Sequence, residues 1–158
     1  MAEDLDFKNQ LRITNTIYFS LILGLIFFCI IAVVFIQDKE SQPGNEIDSI
    51  LTIVVPVYGF LIMLISKILY TKLIAKQNAG NSLLQKIVYY RTVKIISWAM
   101  IESACILALV ALMVTSNYFY LVVFVFLFGY FIFLKPSKES LVRDLQLKSD
   151  ESDLLLRN

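Results

Sequence analysis

Glu102 is the one acidic side chain inside a long apolar run, IISWAMIESACILALVALMV from Ile95 to Val114. A carboxyl at hydrocarbon depth costs roughly 2.5–3.5 kcal/mol to insert, so it must find a partner, carry its proton or face water. The chemistry open to it is therefore narrow. It can bind and release a proton or a cation, or it can hydrogen-bond a neighbouring helix. Ser20, Tyr58 and Tyr130 fall near its level if all the helices have the same rise, and Lys67 lies nearer the surface. Direct pairing with Lys67 is disfavoured, because a lysine near the headgroups can extend its ammonium into water.

Other chemistry is scarce. The chain contains no histidine, which removes the commonest general base and the imidazole ligand of most metal and haem sites. Cys29 and Cys105 both sit in apolar runs and form no C-x-x-C, so they read as small apolar residues rather than a redox pair. No phosphate-cradling glycine loop or dinucleotide fingerprint occurs. The acidic segment QDKESQPGNEIDS, Gln37 to Ser49, lacks the spacing of a calcium loop and reads as a solvated connection turning at Pro43-Gly44. No enzyme activity, metal or cofactor is expected, and no nucleic-acid partner.

The elements that position Glu102 follow from composition. Of 158 residues, 58% are hydrophobic and 17% charged, with mean hydropathy +0.74, more apolar surface than one soluble core of this size can hide. Four runs are long enough to cross hydrocarbon, the last being the shortest: 17–36, 50–69, 95–114 and 118–134. All are apolar on every face, unlike barrel strands, so the expected fold is all-α, an integral membrane four-helix bundle. Residues 1–16 form an N-terminal segment without a removable leader pattern, 17–134 the transmembrane domain, and 135–158 a tail. Thirteen of the fourteen Lys and Arg residues fall on one side of these spans, Lys39 being the exception. The positive-inside rule then puts both termini in the cytoplasm.

Spans two and three run on past the membrane surface. ISKILYTKLIAKQ and LLQKIVYYRTVK keep helical patterning on either side of Asn78-Ala79-Gly80-Asn81, which predicts a basic cytoplasmic helical hairpin, with Ser82 capping the second arm. Such a hairpin would meet anionic lipid headgroups. After Pro136, SKESLVRDLQL predicts a short amphipathic helix on the inner membrane surface. In span three, Ser97, Ala104, Ala108 and Ala111 share one face, a stripe that lets another helix approach closely, while Trp98, Glu102 and Cys105 lie nearly opposite. Contact on both sides would make span three the central helix. Gly24, Gly59 and Gly129 fall near the level of Glu102, which predicts a cavity or tight crossing there, and the rings of span four predict a peripheral, lipid-facing helix.

Ile101 to Met113, IESACILALVALM, resembles the carboxylate-bearing helix of rotary ATPase proteolipids, with Glu102 in the place of the ion-binding acid. The resemblance covers one helix, and neither the glycine-rich partner helix nor the polar Arg-Gln-Pro loop of those proteins is present. In size and in its single membrane glutamate the chain is also similar to small multidrug transporters, whose glutamate lies in the first span rather than the third. Its Ile, Lys and Asn usage is similar to that of small bacterial inner-membrane proteins. Two functions are therefore expected in competition. One is a non-enzymatic accessory subunit acting through its helix faces and basic hairpin, with a second copy or another membrane protein as partner. The other is a small proton-coupled or ion/solute transport unit using Glu102.

Overall fold

The computed structural model describes residues 2–37, 46–76 and 83–136, together with Leu141 and Asp144. Four helices make up the described chain: α1 (Ala2–Ile36), α2 (Glu46–Ala75), α3 (Leu83–Thr115) and α4 (Phe119–Phe133). The first three are long and apolar enough to cross a membrane. α4 has 15 residues, a length of about 22 Å. Large apolar side chains cover the outside, with Leu23, Phe27, Ile53, Phe60, Val122 and Phe126 all exposed, as lipid solvation allows.

α3 is the axis of the fold. Half of its most apolar stretch is buried, against 17% for α1 and α2, because α3 packs on all three other helices. α2 also touches α4, whereas α1 meets α2 and α4 only marginally. Ser97, Ala104, Ala108 and Ala111 are all buried, and the Ser66 and Ser97 hydroxyls hydrogen-bond at 2.7 Å where α2 crosses.

The helices extend one expectation and correct another. α1 is not confined to the apolar run from residue 17 but begins at Ala2, so the N-terminal segment is helical as well. Neighbours beyond the apolar run hold this extension: Thr14 is buried, and the Arg91 guanidinium donates to the side-chain carbonyl of Gln10. Nor is α4 uniformly lipid-facing. Tyr120, Phe124, Leu127 and Phe131, spaced four, three and four apart, form a buried face against α3, and only the opposite face is exposed.

Glycine acts at one level only. A Cβ on Gly59 would come within 3.2 Å of the Leu127 side chain, so its absence sets how closely α2 meets α4. Around Gly24 and Gly129 a Cβ would meet nothing within 4 Å, so the crossing expected at that depth does not form there. α2 runs through Pro56 without interruption. The α3–α4 turn is tight: Ser116 adopts φ 54°, and its N–H closes on the Leu112 carbonyl at 2.8 Å.

The last carbonyls of α4 are bonded from inside the protein. Tyr18 of α1 donates to Ile132 O at 3.0 Å, with Phe131 O at 3.2 Å, and Trp98 Nε1 donates to Leu134 O at 3.2 Å. The Tyr18 ring stacks on Phe131 and tilts against Trp98, joining α1, α3 and α4 at one node.

At the same end, α2 and α3 extend side by side beyond residues 69 and 95, and the Tyr89 hydroxyl donates to Leu73 O at 2.8 Å. The basic residues of these arms divide. Lys67, Lys72 and Lys76 are exposed, but Lys86 and Lys94 are buried, with the Lys94 ammonium 4.5 Å from the centre of the Tyr70 ring and 5.5 Å from that of Tyr90. Inward-facing lysines of this kind cannot serve a headgroup surface in the way the exposed three can. Of the expected amphipathic helix after Pro136, Leu141 and Asp144 are described, and both are helical. Leu141 is buried in protein, and Asp144 accepts a hydrogen bond from Tyr70. The Pro43-Gly44 turn, the Asn78–Ser82 turn and the rest of the tail lie outside the described residues.

Candidate functional site

Span three places Glu102 at a border. With about 100° per residue, Trp98, Cys105 and Leu109 fall within about 60° on one side of Glu102 and are fully buried. Ile106, Ala99, Val110 and Ser103 fall at about 40° to 100° on the other side and are exposed. Glu102 itself is half-buried. The buried side is where Trp98 meets Tyr18 of α1, with ring centres 5.1 Å apart. On the exposed side the Ser103 hydroxyl lies 3.3 Å from that of Tyr58 on α2, beyond the uncovered residues. Glu102 therefore stands at the α1 edge of an open face of α3, and α2 forms the other edge.

None of the expected partners reaches it. Among the described residues, no hydrogen bond or ion pair joins Glu102 to Lys67, Ser20, Tyr58, Tyr130 or any other group. Ser20 and Lys67 are exposed on the outer surfaces of α1 and α2, Tyr58 is turned toward Ser103, and Tyr130 is only partly buried on α4. The Ser103 hydroxyl in turn donates to Met100 O at 2.7 Å.

A second acid, which sequence reasoning assigned to a solvated loop, is buried. Asp48 is 5% exposed in the first turn of α2, where a carboxyl also suits the positive end of the helix dipole. Asn117 Nδ2 donates to both of its oxygens at 3.1 and 3.2 Å, and the Tyr120 hydroxyl donates to Oδ1 at 2.9 Å. Thr52 donates to the Asp48 backbone carbonyl at 2.8 Å and lies 3.2 Å from the Tyr120 hydroxyl. Thr115 accepts from the N–H of Asn117, and Asn117 accepts from that of Phe119, so the α3–α4 turn is pinned to the start of α2. The only signal in the sequence was Asp48 four residues before Thr52, with polar residues at a distant turn.

Comparison with known proteins returns nothing: no protein-family model, no curated protein and no solved structure matches the chain. The functional reading therefore rests on the arrangement itself. What the site can do is limited to a carboxyl that has no donor of its own, beside an uncovered strip of the central helix.

Proposed function

We propose that the protein is a non-enzymatic membrane subunit that crosses the bilayer four times and assembles with other membrane components through a face of its central helix. The observation that carries this reading is Glu102, which has no partner within the described chain and borders the exposed strip Ala99, Ser103, Ile106 and Val110. Interhelical hydrogen bonds are the usual use of such a residue. The positive-inside rule puts the basic end, with Arg12, Lys67, Lys72, Lys76 and Lys135 exposed, in the cytoplasm beside anionic headgroups, with both termini there. A bacterial inner membrane fits this organisation.

The competing reading is a proton-coupled or ion-coupled unit, favoured by the same carboxyl because no internal donor holds it in one state. Flux measurements on the purified protein in sealed liposomes separate the two. Assembly predicts no proton or cation flux above that of empty liposomes, and identical traces for wild type and Glu102→Gln. A flux abolished by Glu102→Gln would replace the assembly reading with the transport one. Orientation is tested separately: a cysteine at Asn117 should react with a membrane-impermeant maleimide in intact cells and one at Lys76 should not. The opposite pattern would invert the topology.

A further inference from the structure

The open strip on α3 is long and continuous. With Glu102 at zero and about 100° per residue, Ile106 lies at about 40°, Ala99 at about 60°, Thr92 and Val110 at about 80°, Ser103 at about 100°, and Ile96 and Val114 at about 120°. All seven are exposed. Toward the basic end the strip meets a shallow, open depression lined by Leu84, Gln85, Val88, Tyr89 and Thr92, all on α3 itself. From Gln85 to Val114 it runs about 44 Å, more than the thickness of a hydrocarbon core. Its width is that of one helix: at interaxial distances of about 8–10 Å, equal neighbours subtend about 60° each around a central helix, and the uncovered arc spans about 80°. At the level of Glu102 the strip is a groove, flanked by α1 where Tyr18 meets Trp98 and by α2 where Tyr58 lies beside Ser103.

Resting on the assembly reading, we propose that this groove seats one transmembrane helix of another protein, and that this helix carries a lysine or arginine at the level of Glu102. The choice of occupant follows from charge. Glu102 presents an acceptor at the groove edge with no donor from its own chain among the described residues, and an acyl chain has no donor to offer. Basic and acidic side chains at such depth pair with each other when they can. A second copy of this chain does not supply the base. Its nearest exposed cation, Lys67, follows Ser66, which bonds Ser97, and so lies about 9 Å nearer the basic end than Glu102, where its ammonium extends to water. Ala99, small and exposed between Glu102 and the α2 edge, lets the incoming backbone come close beside the carboxyl.

Synthetic single-span leucine-alanine peptides test the proposal, identical except for a central lysine, leucine or glutamate. Binding to the full-length protein is read by energy transfer in phosphatidylcholine bilayers. The lysine peptide should bind wild type about tenfold more tightly than the leucine peptide, the size expected for one polar contact between membrane helices. Glu102→Gln should remove most of that preference, and Glu102→Lys should transfer it to the glutamate peptide. Helix content and thermal unfolding of each variant establish that it is folded. A photo-crosslinker at Ile106 should capture the lysine peptide, and one at Val122 on the exposed face of α4 should not. Equal binding of the lysine and leucine peptides would overturn the proposal, as would a lysine preference that survives in Glu102→Gln or capture at Val122 alone. Those outcomes leave the liposome flux result, and with it the assembly reading, standing or falling independently.

Discussion

Two carboxyls on the inner helices of the same fold are treated in opposite ways. Asp48 sits at one end of the molecule with hydrogen bonds from Asn117 and Tyr120 to its side chain and from Thr52 to its backbone, and 5% of its surface exposed. Glu102 stands midway along α3, half-buried, with no hydrogen bond from any described residue. A buried polar group costs stability unless its bonds are made. Asp48 meets that requirement inside the chain and acts as a clamp between the start of α2 and the α3–α4 turn. Glu102 leaves it unmet within the described chain, at an open face of α3, and that difference is what the assembly proposal rests on.

The comparison is broken most decisively at Asp48. Asp48→Ala removes the acceptor that the half-buried Asn117 amide and the buried Tyr120 hydroxyl share, leaves Tyr120 only the backbone carbonyl and Thr52, and should cost about 2 kcal/mol. Unfolding of the detergent-solubilised protein with increasing denaturing detergent measures it. A loss below about 0.5 kcal/mol, the range of ordinary surface substitutions, would mean the clamp is ornamental. Packing around α3 gives the next effect. Ala108→Leu forces extra carbons into a fully buried site and should cost about 2 kcal/mol, whereas Phe126→Leu on the exposed face of α4 should be nearly neutral. Equal tolerance of both by the same titration would show that the buried and exposed faces have been exchanged. The smallest effect sharpens the contrast: Glu102→Gln, which keeps the shape and breaks no internal bond, should change unfolding by less than about 0.5 kcal/mol. A loss approaching that of Asp48→Ala would reveal a partner inside the chain and remove the distinction between the two acids.

Much of the helical frame was legible from local pattern. The apolar runs 50–69 and 95–114 lie inside α2 and α3, and the lysine-interrupted periodicity after Lys67 anticipated the extension of α2 to Ala75. The small-residue face of span three was readable because helical spacing alone brings Ser97, Ala104, Ala108 and Ala111 into line. What escaped depended on residues far apart in the chain. The helical N-terminal segment is held by Gln10 meeting Arg91, 81 positions away, and nothing near Thr14 in sequence says that it will be covered. Asp48 looked like one more loop acid because its partners lie 69 and 72 residues later. The rings of α4 differ little in hydropathy, so only the neighbour they pack on separates Phe124 and Phe131 from Phe126 and Phe133. For Glu102, sequence gave the depth and the chemical problem. That its solution does not lie within the described chain required all four helices.

The bonds that Tyr18 and Trp98 make to the end of α4 have a consequence for the surrounding lipid. At about 22 Å, α4 falls short of a hydrocarbon layer of about 30 Å, and a bare helix end left in that gap would expose carbonyls with no water to bond. Tyr18 shares its one proton between Ile132 O and Phe131 O and Trp98 donates to Leu134 O, while the Leu134 and Lys135 N–H groups close on Phe131 O and Ile132 O, so these carbonyls are satisfied without water. On the four-span reading proposed above, carbonyls satisfied in this way would absorb the hydrophobic mismatch that elsewhere sorts short spans into thin membranes, and would let the protein reside in bilayers thicker than its shortest helix.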